Sequence, residues 1–375
     1  MTNHEITGKQ VQSILVLFWF GSSVISAVSP EAKQDSWVSL LIAVLVVLPL
    51  LALYVRLNRL YPGINFYDVL FKIFGGIAGR IIALIYIFYF IHLASLAMRV
   101  LTAFVHVLSM KDTPELLIGA FIVVIGAWSA KNGPESIGRV SKFLLPIILI
   151  SAFLTFVIGI KDMNFSYMKP FLEADFKSLL SGAFGYLTLP LGEVVTCYSF
   201  FACINARTST PKIYLKSLLY FSAIVLVATY RNILVLGIPT SLLYYFSSYQ
   251  SASVLSLGEF FTRIEVLIGM NLMLGGFIKI AVCLYSASLG ITKVFKIQDQ
   301  KSMIVPTGLL ILTLTDNAFK NVPDQFAWVK MYQLYAVPFE IILPLIIWVA
   351  AEIQTKMKQQ PPEAETAQNV NDQTR

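Results

Sequence analysis

The chain has 375 residues, 57% of them hydrophobic and only 13% charged, with a formal net charge of +7. Soluble domains carry roughly a quarter charged residues, so this composition, with a mean hydropathy of +0.74, excludes an ordinary soluble globular protein. Cys197, Cys203 and Cys283 lie in apolar runs and form no C-x-x-C pair, so neither a disulfide framework nor a zinc site is predicted.

Spans of about 20 mostly apolar residues cross a bilayer as helices. The first predicted span, 10–29, contains "FWFGSSVISAVS", in which Gly21-Ser22-Ser23 interrupts the apolar run near its middle. The "ISAVS" stretch faintly resembles a signal-peptide cleavage site. The leading "MTNHEITGKQ" is not clearly basic, however, and the apolar run is too long, so an uncleaved span is expected. The next spans are predicted at 37–55, 80–109, 115–130 and 143–160. On the third, His92, Ser95, Arg99, Thr102, His106 and Ser109 recur at three- and four-residue steps, which places them on one stripe facing the bundle interior.

The sixth span, 180–204, carries "TLPLGEVV", with Pro190, Gly192 and Glu193 near its centre. Proline lacks the amide proton and clashes one turn back, so continuous helix is costly there. Gly192 permits the backbone angles of an unwound stretch. The seventh span, 213–238, holds Arg231 near its outer end, where its guanidinium is expected to snorkel. The eighth, 262–289, opens with Arg263 and Glu265 and carries Asn271 and Lys279 deeper in. The ninth and tenth follow at 303–319 and 332–353, the last with Glu340. The polar remainder, 354–375, reads as a disordered cytoplasmic tail on a single membrane domain, 1–353.

Alternate connections divide the charges. One set holds Arg56, Arg59, Lys72 and Arg80, then Lys131, Arg139 and Lys142, then Arg207, Lys212 and Lys216, then Lys293, Lys296 and Lys301. The other is acidic, with Glu31, Asp35, Asp112, Glu115, Asp162, Glu173, Asp175, Glu259 and Asp324. The basic set belongs to the cytoplasm, which places both termini there. The fold class predicted is therefore an all-α integral membrane protein of ten transmembrane helices. Five plus five spans, 10–160 and 180–353, make halves of opposite topology. Interrupted helices at corresponding places in such halves point to a binding site near the membrane midplane. Tight helix packing is the competing explanation for each interruption.

Ionisable groups inside spans are functional candidates because burying them is costly. Arg99, Glu193, Lys279 and Glu340 are expected to form a buried charge network. Glu193 is the natural partner of Arg99, and Lys279 is expected to neutralise Glu193 or Glu340. The predicted ligand-binding set is Gly21, Ser22, Ser23, Pro190, Gly192, Glu193 and Asn271. No phosphate loop, nucleophile elbow or metal motif appears, so neither enzyme chemistry nor a cofactor is expected.

The motifs "ITGKQ", "GSS", "YPGINFYDVL", Arg99 followed by "DTP" at 112–114, "GE" at 192–193, "RIE" at 263–265 and "VPD" at 322–324 occur in order along nearly the whole chain. In this the chain resembles the spore-germination permeases, the B subunits of endospore nutrient-germinant receptors, within the amino acid–polyamine–organocation superfamily. The resemblance implies a LeuT-like inverted-repeat fold with helices one and six broken. It also implies the spore inner membrane, a larger A subunit and a lipoprotein C subunit as partners, and recognition of a small nutrient, whose identity the resemblance does not carry over. An amino acid is the expected ligand, with a sugar or a nucleoside as the alternatives. An amino-acid secondary transporter acting alone is the alternative.

Overall fold

The computed structural model describes residues 6–23, 28–204, 209–255 and 263–359. Among these the regular structure is helical, and an isolated bridge joins Ile6 to Ile204. The order is α1 (Gly8–Ser23), α2 (Ser36–Leu60), α3 (Phe66–Leu108), α4 (Glu115–Lys131), α5 (Gly133–Gly159), α6 (Phe176–Thr188), a 3-10 stretch (Leu191–Cys197) and the short α7 (Tyr198–Phe201). Then come α8 (Thr210–Leu243), α9 (Ser247–Ser253), α10 (Glu265–Phe295), α11 (Gln300–Ala318), α12 (Val322–Val337), a π turn (Pro338–Ile342) and α13 (Leu343–Gln359).

Among the described residues, seven helical segments are long and apolar enough to span a membrane: Lys33–Leu60, Phe66–Leu108, Gly133–Asp162, Phe176–Phe201, Thr210–Leu243, Glu265–Phe295 and Val322–Met357. The predicted first, fourth and ninth spans correspond to α1, α4 and α11, of 16, 17 and 19 residues. α1 is described only to Ser23, α4 is short, and α11 is diluted by Lys301, Asp316 and threonines. Helix α3 starts at Phe66 and bends at Gly75, whose φ of 78° suits glycine.

Helix α10 is the central post, packed against α3, α1, α4, α11 and α5. Helix α1 is buried from Gln10 to Ser23 apart from Gln12, as an all-round apolar helix should be. It begins with a capping box: the Thr7 amide donates to Gln10 Oε1 at 2.7 Å, and the Gln10 amide donates to Thr7 Oγ1 at 3.3 Å. The periphery is apolar instead of polar, with Leu45, Phe121 and Phe153 each about two-thirds exposed. Such a surface suits lipid and marks an integral membrane protein.

The two interruptions behave differently. Gly21-Ser22-Ser23 form the last turn of α1 and are helical, and residues 24–27 lie outside the described residues. Gly21 is there for packing: a Cβ on it would lie 2.7 Å from the Gly275 carbonyl oxygen and 3.1 Å from Lys279 Cβ. At the second interruption the α-helix does stop. α6 ends at Thr188 and the chain continues past Pro190 as 3-10 helix. Helix α13 runs to Gln359, through residues 354–359 that sequence assigned to the tail; the rest of that predicted tail, 360–375, lies outside the described residues.

Candidate functional site

Because the helix breaks at Pro190, Glu193 reaches the middle of the bundle on the 3-10 stretch, fully buried. Lys279 of α10, 1% exposed, places its ammonium against both Glu193 Oε2 and Ser22 Oγ. Ser22 donates to the same carboxylate oxygen at 3.1 Å. Tyr332 of α12 donates to Glu193 Oε1 at 3.0 Å. The ammonium also stands 5.0 Å from the centre of the Phe18 ring. Four elements thus converge on one ion pair. A buried pair is tolerable only when its remaining hydrogen-bonding capacity is met in this way.

Glu340 lies one step further from the cavity, on the π turn, and is fully buried. Tyr89 of α3 donates to its Oε1 at 2.5 Å, and the Tyr89 and Tyr332 hydroxyls are 3.2 Å apart. Two tyrosines therefore link the second carboxyl to the first. Glu340 Oε2 has no hydrogen-bond partner among the described residues. It abuts Gly192, where a Cβ would lie 2.3 Å from it. Gly192 is thus required for close approach of the π turn.

A cavity opens beside the ion pair. Its polar side is Ser22, Glu193, Lys279 and Gln325, and its walls are mostly apolar, from α3 (Leu93, Leu96, Ala97, Val100) and α12 (Phe326, Trp328, Val329). Leu189, Phe326 and Val329 also line a larger vestibule that reaches Glu31, Ser247, Lys330 and Gln333. The vestibule is lined in part by Pro30 and Glu31 of the α1–α2 connection, which belongs to the acidic set.

Among the predicted residues, Gly21, Ser22, Glu193 and Lys279 meet at this cavity. Pro190 and Gly192 shape the stretch that delivers Glu193 without lining it. Ser23 and Asn271 line a different cavity, on the other side of α1. The expected Arg99–Glu193 pair does not form. Arg99 pairs instead with Glu115, at the first turn of α4, and donates to the Phe319 carbonyl at 3.4 Å. Ser95 and Thr102 of its stripe bond back to their own helix, and His92 bonds the Tyr335 hydroxyl at 2.8 Å. Arg231 does not snorkel; it is 2% exposed. Sequence reasoning missed Tyr89, Gln325, Trp328 and Tyr332. Gln325, Trp328, Val329 and Tyr332 have i, i+3, i+4, i+7 spacing, which gave the available signal.

Solved structures that share this fold include a transporter and a symporter. A nucleobase-cation-symport-1 family transporter, closed with bromovinylhydantoin bound, matches with a TM-score of 0.67 at 12% identity, covering 92% of this chain and 78% of that one. A Na+-coupled sialic acid symporter in a substrate-bound outward-open state gives 0.61 at 11% identity, over 91% and 80%. MhsT in complex with L-phenylalanine gives 0.58 at 13% identity, over 90% and 98%. By sequence, spore germination protein KB of Bacillus subtilis (strain 168) is 24% identical over 364 residues, 96% of this chain and 98% of that protein. Putative spore germination protein YfkT of the same organism is 25% identical over 320 residues, 85% and 87% of the two chains. Spore germination protein XB of Bacillus anthracis is 19% identical over 334 residues, 87% and 92%. Residues 5–319 match the spore permease family, described as spore germination protein, and the chain belongs to that family.

Proposed function

We propose that this chain is the nutrient-recognising B subunit of a germinant receptor, built as ten spans in two inverted halves, with its ligand in the central cavity. The observation that carries the reading is the juxtaposition of a mostly apolar cavity with the buried Ser22–Glu193–Lys279 cluster. Opposite charges side by side complement a zwitterion. A carboxylate is expected to turn toward Lys279 and Ser22, and an ammonium toward Glu193 and Tyr332. The apolar walls accept an aliphatic or aromatic side chain, so an amino acid with an apolar side chain is the favoured ligand. L-Phenylalanine, bound by the structural relative MhsT, is one to test.

In this reading the protein sits in the spore inner membrane with both termini in the cytoplasm, and an A subunit and a lipoprotein C subunit receive the signal. Ligand shifts a conformational balance only through different affinities for the two states. Closure of the vestibule over an occupied cavity supplies that difference. The second reading, an amino-acid transporter acting alone, is favoured by the fold shared with transporters.

Purified protein in liposomes, probed with individual labelled amino acids, distinguishes the two. Saturable binding without concentrative uptake is expected, and it is expected to vanish in Ala97→Phe, which fills the cavity from α3. Concentrative uptake by the chain alone would establish the transporter instead. Binding unchanged in Ala97→Phe would remove the ligand from this cavity.

A further inference from the structure

Behind α1, away from the ion pair, Arg231 of α8 is 2% exposed and has no ion-pair partner among the described residues. Its Nε donates to Ser251 Oγ at 3.1 Å and its Nη1 to Thr155 Oγ1 at 2.8 Å. Its Nη2 donates to Asn232 Oδ1 at 3.1 Å and to the Ser248 carbonyl at 3.3 Å. These four bonds use neutral acceptors and leave one of the five guanidinium protons unused. A buried charge held only by dipoles is costly unless a counter-charge joins it. Glu265, on the neighbouring α10, faces Arg263 at 3.5 Å. It precedes Asn271 by six residues, about 9 Å along the helix.

Arg231 lines a cavity together with Ser23, Ser248 and Asn271, closed by apolar side chains such as Phe20 and Ile268. Its free hydrogen-bonding capacity is one-sided. Asn271 Oδ1 accepts from Ser151 Oγ at 2.7 Å, and the Asn271 amide donors have no partner among the described residues. Ser248 Oγ accepts from Asn232 Nδ2 at 2.9 Å, and its own proton is unused. Ser23 donates to the Phe20 carbonyl at 3.1 Å. The spare groups are thus N–H and O–H donors around a single positive charge.

We infer that this cavity binds a small monovalent anion, a free halide or the carboxylate of a small organic acid, held by Arg231, Asn271 and Ser248. One guanidinium charge balances one negative charge, so a dianion is disfavoured. The site adjoins Ser23, in the turn of α1 that also presents Ser22 to the central cavity. An anion there steadies the end of α1.

The test is the melting temperature of the detergent-purified chain. Sodium gluconate is replaced by chloride, bromide or acetate at constant sodium concentration. Saturable stabilisation by at least one of the three is expected. It should be abolished in Arg231→Gln and need an anion concentration about tenfold higher in Asn271→Ala, which loses one charge-assisted hydrogen bond. Halide-only stabilisation identifies a free ion, and acetate-only stabilisation a ligand carboxylate. If Arg231→Gln does not fold, Asn271→Ala decides alone. A melting temperature indifferent to all three anions, or a non-saturating rise equal in wild type and Asn271→Ala, would overturn the inference and leave the cavity to water.

Discussion

Glu193 and Lys279 are fully buried and share their charges with few groups, so each depends on the other. Removing one partner leaves a bare charge in low dielectric, whereas removing both can be nearly neutral. Lys279→Met is expected to destabilise the protein by about 3–5 kcal/mol, and Glu193→Gln with Lys279→Met to recover most of that loss. Chemical denaturation of both variants in detergent checks this, and a double variant no more stable than Lys279→Met would show that Glu193 does not depend on Lys279. Gly192→Ala drives a Cβ toward Glu340 Oε2. It is expected to cost about 1–3 kcal/mol by overpacking, and less in a Glu340→Ala background, where the obstructing carboxyl is gone. The ionisable residues were legible from sequence because charges inside apolar runs stand out. Their pairing was not, because each residue step turns a helix by about 100° and partner choice depends on how helices rotate against one another. Arg99 illustrates this: its partner Glu115 occupies the first turn of α4 and reads in sequence as a loop acid.

At the scale of elements, the break before Glu193 was legible because proline removes a specific hydrogen bond wherever it falls in a helix. The Gly21-Ser22-Ser23 triplet was ambiguous because glycine serves unwinding and close packing equally well. The structure resolves these three residues as helix, with Gly21 set against Gly275 of α10. That partner lies far along the chain and leaves no local trace. The contact makes a prediction about the α1–α10 interface. Gly21→Leu must push the two backbones apart, because the obstruction is a carbonyl oxygen and not a pliable side chain. A loss of about 3 kcal/mol or more is expected. Gly275→Leu should cost a similar amount, and the double variant less than the sum, as residues sharing one interface couple. Thermal unfolding of the three variants tests this, and strict additivity would mean that α1 and α10 are not held together here.

For the whole molecule, the alternation of basic and acidic connections predicts which face meets the cytoplasm, and the geometry adds where a ligand would arrive. The vestibule reaches Glu31, one of the acidic set, together with Lys330 and Gln333. Lys72 lies beside the α2–α3 connection with the basic set. Cysteines placed on these faces report orientation directly. The native Cys197 and Cys283 are buried, while Cys203 is half-buried and is best replaced by serine first. In intact cells, a membrane-impermeant maleimide should label Lys330→Cys, and should reach Lys72→Cys only after permeabilisation. The opposite pattern would invert the positive-inside assignment and turn the vestibule toward the cytoplasm. Because Lys330 lines the vestibule while the central cavity lies beyond Leu189, Phe326 and Val329, a ligand that closes this entrance should slow labelling at Lys330→Cys. It should leave labelling at Lys72→Cys in permeabilised cells unchanged. A ligand that binds with no effect on either rate would separate occupancy from closure, and the proposed signal to partner subunits would then need another face of the bundle.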